Sequence, residues 1–160
     1  RECQVIQADD QEKLALWWYV WQNAYYDVVV SGVEPVYVGQ SMRAVAQGQQ
    51  IDLVFYQQGF PLGVALITVY EQSAHLMAWA LMKEAREPEM IGIIYNAAIR
   101  AAAQRGCHIL FMAGETNQER QIARKLGFID AGSIVCYAEA TDIAHEENDE
   151  ALEQPVFILR

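Results

Sequence analysis

Residues 108–139, HILFMAGETNQERQIARKLGFIDAGSIVCYAE, decide the fold. The stretch opens on a short apolar run, His108 to Met112, which reads as a buried strand, and then turns through polar residues. Asn117 to Leu126 reads as a helix closing in Lys125-Leu126-Gly127-Phe128, and Ile129 to Ala138 as a second strand. Strand, helix and strand in such quick succession place a helix against a sheet in a mixed α/β pattern.

Upstream, Pro88 suits the first turn of a helix, where its missing N–H costs nothing. Met90, Ile93, Ile94, Ala97, Ala98 and Ala101 then repeat at helical spacing down to Gly106, a good C-terminal stop. Before that helix, His75 to Met82 alternates with apolar residues on both faces, and His75, Met77, Trp79 and Leu81 are expected to share one of them. Apolar faces on both sides predict a central strand. Ile51–Tyr56 and Leu62–Tyr70, joined by Gln57-Gln58-Gly59, read as a hairpin, and Val156–Leu159 as a returning partner for the strand at Ile129.

At the front, Val5-Ile6 reads as a short strand, and Asp9 or Asp10 can cap a helix by accepting from its orphan amides. From Leu14 to Val30 only Gln22, Asn23 and Asp27 break an apolar run in which Trp17, Trp18, Trp21 and Tyr25 recur at helical spacing. Leu16, Tyr19, Val20 and Tyr26 decorate its other faces, so this helix must be covered on more than one side. Either a helix around Met42 to Gln47 folds over it, or Trp17, Trp18, Trp21 and Tyr25 form an interface to a protein partner or a second copy.

The chain of 160 residues fits a single domain, with 1–50 as an aromatic helical front segment and 51–160 as the core of sheet and helices. No apolar run reaches the roughly 20 residues of a spanning helix, so no membrane role is expected. Nor does a signal-peptide pattern follow Arg1-Glu2-Cys3-Gln4, which argues for a cytoplasmic setting. Cys3, Cys107 and Cys136 are odd in number and scattered, as reduced thiols are, and no metal-ligand spacing occurs. A formal charge of −10 excludes the counterion release that drives nucleic-acid binding. Asp142, Glu146, Glu147, Asp149, Glu150 and Glu153 crowd one segment, which reads as a solvated loop or as a contact for a basic partner.

The element order from residue 51 onward, with the ending Lys125-Leu126-Gly127-Phe128 before a Gly132-containing strand, resembles the GNAT acyltransferase superfamily. The resemblance implies a central, mostly antiparallel sheet flanked by helices. It also implies an acyl-CoA site, in which backbone groups of Leu81 and Met82 hold pantetheine and a loop before the long helix holds the pyrophosphate. That loop in the family is Arg/Gln-x-x-Gly-x-Gly/Ala, and the matching stretch here is Arg86-Glu87-Pro88-Glu89-Met90-Ile91-Gly92. Arg86 and Gly92 are what remains of it. Pro88 removes a donor, and Glu84, Glu87 and Glu89 repel a pyrophosphate from the helix start.

Counting back from Gly127-Phe128 puts Thr116 where the family has a CoA-contacting Asn, with Asn117 one residue late, and Ala123 where it often has a general-acid Tyr. Proton donation would fall to another donor such as Tyr95 or Tyr137, or to none, and the candidates for general base are Glu71, Glu84 and His75. His75 on an apolar strand reads first as a core histidine. Cys107 and His108 are strand neighbours that point to opposite faces, so they make no dyad.

The hairpin turn Gly59-Phe60-Pro61, Trp79 on the central strand and the missing loop also resemble short GNAT-like proteins of tailed bacteriophages, some of them virion components. Three functions follow as expectations. One is a GNAT-fold pseudoenzyme with no cofactor, acting as a structural or protein-binding component in the cytoplasm or a virion. Another is an acetyl-CoA-dependent N-acetyltransferase whose acidic surface attracts a basic amine. The last is a binding module that keeps the apolar cleft between the central and fifth strands, lined by Trp79 and Phe111, for another small ligand.

Overall fold

In the structure, a computed structural model, residues 3–26, 29, 32–136 and 152–159 are described. Seven strands form one sheet: β1 (Cys3–Gln7), β2 (Gln50–Gln57), β3 (Phe60–Tyr70), β4 (Ser73–Leu81), β5 (Ile109–Ala113), β6 (Ile129–Cys136) and β7 (Leu152–Leu159). Their order is β1-β2-β3-β4-β5-β7-β6. Four helices flank them: α1 (Gln11–Tyr26), α2 (Pro35–Ala46), α3 (Pro88–Gln104) and α4 (Asn117–Lys125).

The sheet is mixed. Its hairpins are antiparallel, but β4 and β5 run parallel because α3 carries the chain back across one face between them. The front segment also contributes more than helices, since β1 pairs antiparallel with β2 as an edge strand. The final strand is longer than the pattern at Val156 suggests and lies between β5 and β6.

Two cores result, one on each face. Ile51, Leu53, Phe55, Ile67 and Leu76 of the sheet meet Ile94, Tyr95 and Ala98 of α3 and Ala123 of α4. On the other face, Val54, Val64 and Ala80 meet Leu14, Trp17 and Val20 of α1 and Val38 of α2. Asp10 caps α1, its Oδ1 accepting from the Lys13 amide at 2.8 Å. The described part of α1 ends at Tyr26, short of the apolar run's end at Val30.

The expected face of β4 needs correction. Leu66 pairs with Ala78 but Ile67 pairs with Leu76, so Met77 is an extra residue, a β-bulge. Past a bulge the alternation of side chains inverts. Ala74 and Leu76 therefore share the α3 face with Trp79 and Leu81, and His75 lies on the opposite face from Leu81.

Candidate functional site

The parallel pair that α3 creates is short. β4 and β5 are bonded only from Ser73–Ile109 to Leu76–Met112, while β4 runs on to Leu81 and β5 stops at Ala113. A cleft opens where they part. It holds a cavity of about 510 Å³ walled by Trp21, Tyr25, His75 and Trp79 with Glu115 and Glu119. A second, of about 350 Å³, adjoins it and shares Tyr25 and Trp79, reaching Leu81, Arg86 and Ile91.

Each wall comes from a local cause. The bulge at Met77 turns Trp79 toward α3, where its ring meets Tyr95 edge-on with centroids 6.2 Å apart. Tyr95 is fully buried, and its hydroxyl has no hydrogen-bond partner among the described residues. Burial, reinforced by the charges of Glu119 and Glu115, pushes that phenol well above its ordinary value. Such a hydroxyl keeps its proton.

His75 is half-buried, stacked on Phe111 with centroids 4.4 Å apart and planes 10° from parallel. Its desolvation holds the imidazole pKa below the ordinary value, which favours the neutral ring. The expected core histidine thus also lines the cleft, whereas Phe111 sits behind it as the stacking partner.

At the start of α4, Thr116 Oγ1 accepts from the Glu119 amide at 3.2 Å, and Glu119 Oε2 accepts from the Glu115 amide at 3.0 Å. Thr116 also donates to Glu119 Oε1 at 3.1 Å. This is a variant of the capping box, legible as Thr-x-x-Glu, in which Glu119 reaches back to the amide one residue before the cap, and it buries Glu119 against the cleft. The side chain of Thr116, expected to contact CoA, is committed to the cap. Asn117, the other such candidate, accepts from Arg120 at 2.6 Å.

Arg86 has its own partners. Nε donates to the Leu81 carbonyl at 3.1 Å and Nη2 to the Ala24 carbonyl, in the last turns of α1, at 2.8 Å. The Met82 amide is bonded to the Leu62 carbonyl, and the Leu81 carbonyl is the one that accepts from Arg86. At the start of α3 the Glu87 amide bonds to Ala85, the Met90 and Ile91 amides bond to Glu87, and Pro88 has none. Gly92 belongs to the second turn of α3 and faces α4, where an added Cβ would lie 3.9 Å from Ile122. It is a helix-contact position rather than a loop glycine.

The remaining candidates lie apart. Glu71 takes a positive φ of 52° in the β3–β4 turn, beside a hollow formed with Gln49 and Arg105. Glu84 is exposed in the single 3₁₀ turn Lys83–Ala85. Tyr137 and the acidic residues from Asp142 to Glu150 fall outside the described residues.

The aromatic stripe divides. Trp17 is only 1% exposed, its Nε1 donating to the Ala65 carbonyl at 3.1 Å, so it cannot meet a partner. Trp18 is covered by α2, stacking on Tyr37 and donating to Ser41 Oγ at 3.0 Å. Trp21 and Tyr25, stacked at 4.9 Å, reach the cleft instead.

In sequence, no family model and no curated protein matches this chain. In structure it is similar to the acetyltransferase of the GNAT family from Streptococcus pneumoniae, with a TM-score of 0.71 and 16% identity over 99% of this chain and 98% of that one. It is similar to yncA of Salmonella typhimurium, described as an acetyltransferase and solved with its cofactor acetyl-CoA, at a TM-score of 0.71 and 12% identity over 100% and 94% of the two chains. The ribosomal-protein-alanine N-acetyltransferase of Brucella melitensis gives 0.69 and 15%, covering 98% of each. The chain has the GNAT fold, and at these identities the likeness is one of fold.

Proposed function

We propose that this chain is a GNAT-fold protein that does not use acetyl-CoA and works through contacts with a protein partner. The observation that carries this reading is the state of the loop before α3. A pyrophosphate there needs free amides and a helix dipole without competing acids. Three amides are bonded within the turn, Pro88 offers none, and the amide left at Glu89 belongs to a helix start that Glu87 and Glu89 flank with carboxylates. Arg86, the cation on hand, already spans two carbonyls. These residues do not fit the diphosphate. A structural role in a larger assembly, such as a virion, agrees with that.

The test is a thermal-shift titration with acetyl-CoA. A ligand that binds only the native state stabilises it by about 2.7 kcal/mol at a hundredfold excess over its Kd. The reading expects no shift at millimolar acetyl-CoA, and a saturable shift sinks it.

A second reading, an acetyl-CoA-dependent N-acetyltransferase acting on a basic amine, is favoured by one observation. The cleft contains His75, a half-buried imidazole that burial keeps neutral, beside two carboxylates that attract a cation. Acetylation of a polyamine or lysine panel, abolished in His75→Ala, is its signature.

A further inference from the structure

The larger cavity is chemically one-sided. Among the described residues lining it are Trp21, Tyr25 and Trp79, two carboxylates in Glu115 and Glu119, and no lysine or arginine. His75 is the one basic group there, and its lowered pKa favours the uncharged form. The nearby cations are engaged elsewhere: Arg120 contacts the Gly114 carbonyl and Asn117, and Arg86 contacts Leu81 and Ala24. At the start of α4 the Glu119 and Glu115 amides are both taken by the Thr116 and Glu119 side chains. A cavity with aromatic walls and unopposed carboxylates complements a cation.

The shape of the walls narrows the class. Trp17, Trp21 and Tyr25 form a ladder of nearly parallel rings along α1, at 10° and 16°, that ends at the cavity mouth. Flat π faces beside carboxylates suit a planar, weakly hydrated guanidinium, which stacks and donates in-plane, better than a compact, strongly hydrated ammonium. Tyr25 at the mouth is 61% exposed, and its ring meets that of the equally exposed Tyr26 edge-on with centroids 5.0 Å apart, giving apolar surface beyond what one side chain fills. We infer that this cleft receives an arginine side chain from a basic segment of a partner protein, with Tyr25 and Trp79 supplying the aromatic surface and Glu115 the carboxylate. The inference rests on the partner-binding reading above, and the net charge of −10 steers such a segment toward the molecule.

Because Trp21 and Trp79 line the cavity, tryptophan fluorescence reports occupancy directly. The whole chain is titrated with an acetylated, amidated glycine-arginine-glycine peptide and with its lysine and citrulline counterparts. A saturable change with the arginine peptide is expected, about tenfold weaker with lysine and absent with uncharged citrulline. Free agmatine, which misses Tyr26 and the rim, binds more weakly than the peptide. Tyr25→Ala and Glu115→Gln, both at exposed positions, abolish the response while their circular dichroism stays that of the parent. No saturable change, or an equal response to citrulline, overturns the inference, as does agmatine binding as tightly as the peptide. The acetyl-CoA titration run alongside separates the two ideas. A shift there overturns the partner-binding reading, whereas silence in both titrations overturns only the arginine site.

Discussion

Arg86 Nη2 lies 2.8 Å from the carbonyl oxygen of Ala24, 62 positions earlier in the chain, and fastens the end of α1 to the loop that leads into α3. The same guanidinium holds the Leu81 carbonyl where β4 ends. One side chain therefore ties together three of the elements around the cleft. It also satisfies a carbonyl at the C-terminal end of α1, where a cation meets the negative end of the helix dipole.

Arg86→Ala should therefore cost about 1.5–3 kcal/mol of stability, the range for hydrogen bonds that involve a charged group. Urea denaturation measures it. Arg86→Lys should recover only part of the loss, because one ammonium cannot reproduce the fork that spans Leu81 and Ala24. A neutral Arg86→Ala would mean that the clamp is slack in solution.

Trp17 and Tyr25 belong to one aromatic ladder but should behave oppositely. Trp17→Ala empties a fully buried site against the sheet and should cost about 3–5 kcal/mol. Tyr25→Ala removes a ring that is 61% exposed and should stay within about 0.5 kcal/mol. Paired thermal melts check the contrast, and equal losses would contradict the division of the ladder into core and cleft wall.

Much of this was legible in the residues. The caps at Asp10 and Pro88, the stop at Gly106 and the strand and helix that end at Gly127-Phe128 follow from backbone chemistry that acts within a few positions. The bulge at Met77 did not show, because an extra residue in a uniformly apolar strand leaves no mark on alternation. It reverses the faces on which His75 and Leu81 lie, which misplaced part of the site. Glu119 carried a readable signal in Thr116-x-x-Glu119, but its burial against the cleft depends on where β5 ends. The partners of Arg86 are farther still from sequence reasoning, since a contact across 62 positions exists only once α1 has packed.

The capping box should be separable into its two halves. Thr116→Ala removes the acceptor for the Glu119 amide and should cost about 0.5–2 kcal/mol. Glu119→Gln keeps an oxygen for the Glu115 amide and should cost less than Glu119→Ala, which leaves that amide without its acceptor. Chemical denaturation of the three variants gives the order, and a Glu119→Gln as damaging as Glu119→Ala would show that charge rather than the hydrogen bond matters there.

The sharpest pH prediction concerns Asp52, on β2 beneath α2. Its side chain is fully buried, Oδ2 accepts from Gln50 Nε2 at 2.7 Å, and Oδ1 has no partner among the described residues. Burial pushes its pKa from 3.8 up to about 7, and the Gln50 hydrogen bond only partly opposes this. Between those values the folded chain holds a proton that the unfolded chain has released, so stability is full below pH 3.8 and falls as pH rises toward 7. Each pH unit in that window costs about 1.4 kcal/mol, or up to about 4 kcal/mol in all. Asp52→Asn keeps an acceptor for Gln50 and carries no charge. His75, shifted the other way, loses stability as pH falls below its ordinary value of 6.5, so the readout is the difference between parent and variant rather than either curve alone. That difference should be small at pH 4, grow in favour of Asp52→Asn to pH 7 and then level off. A constant difference from pH 4 to pH 8, followed by urea denaturation, would mean that Asp52 is ionised throughout and that the structure has found it a partner.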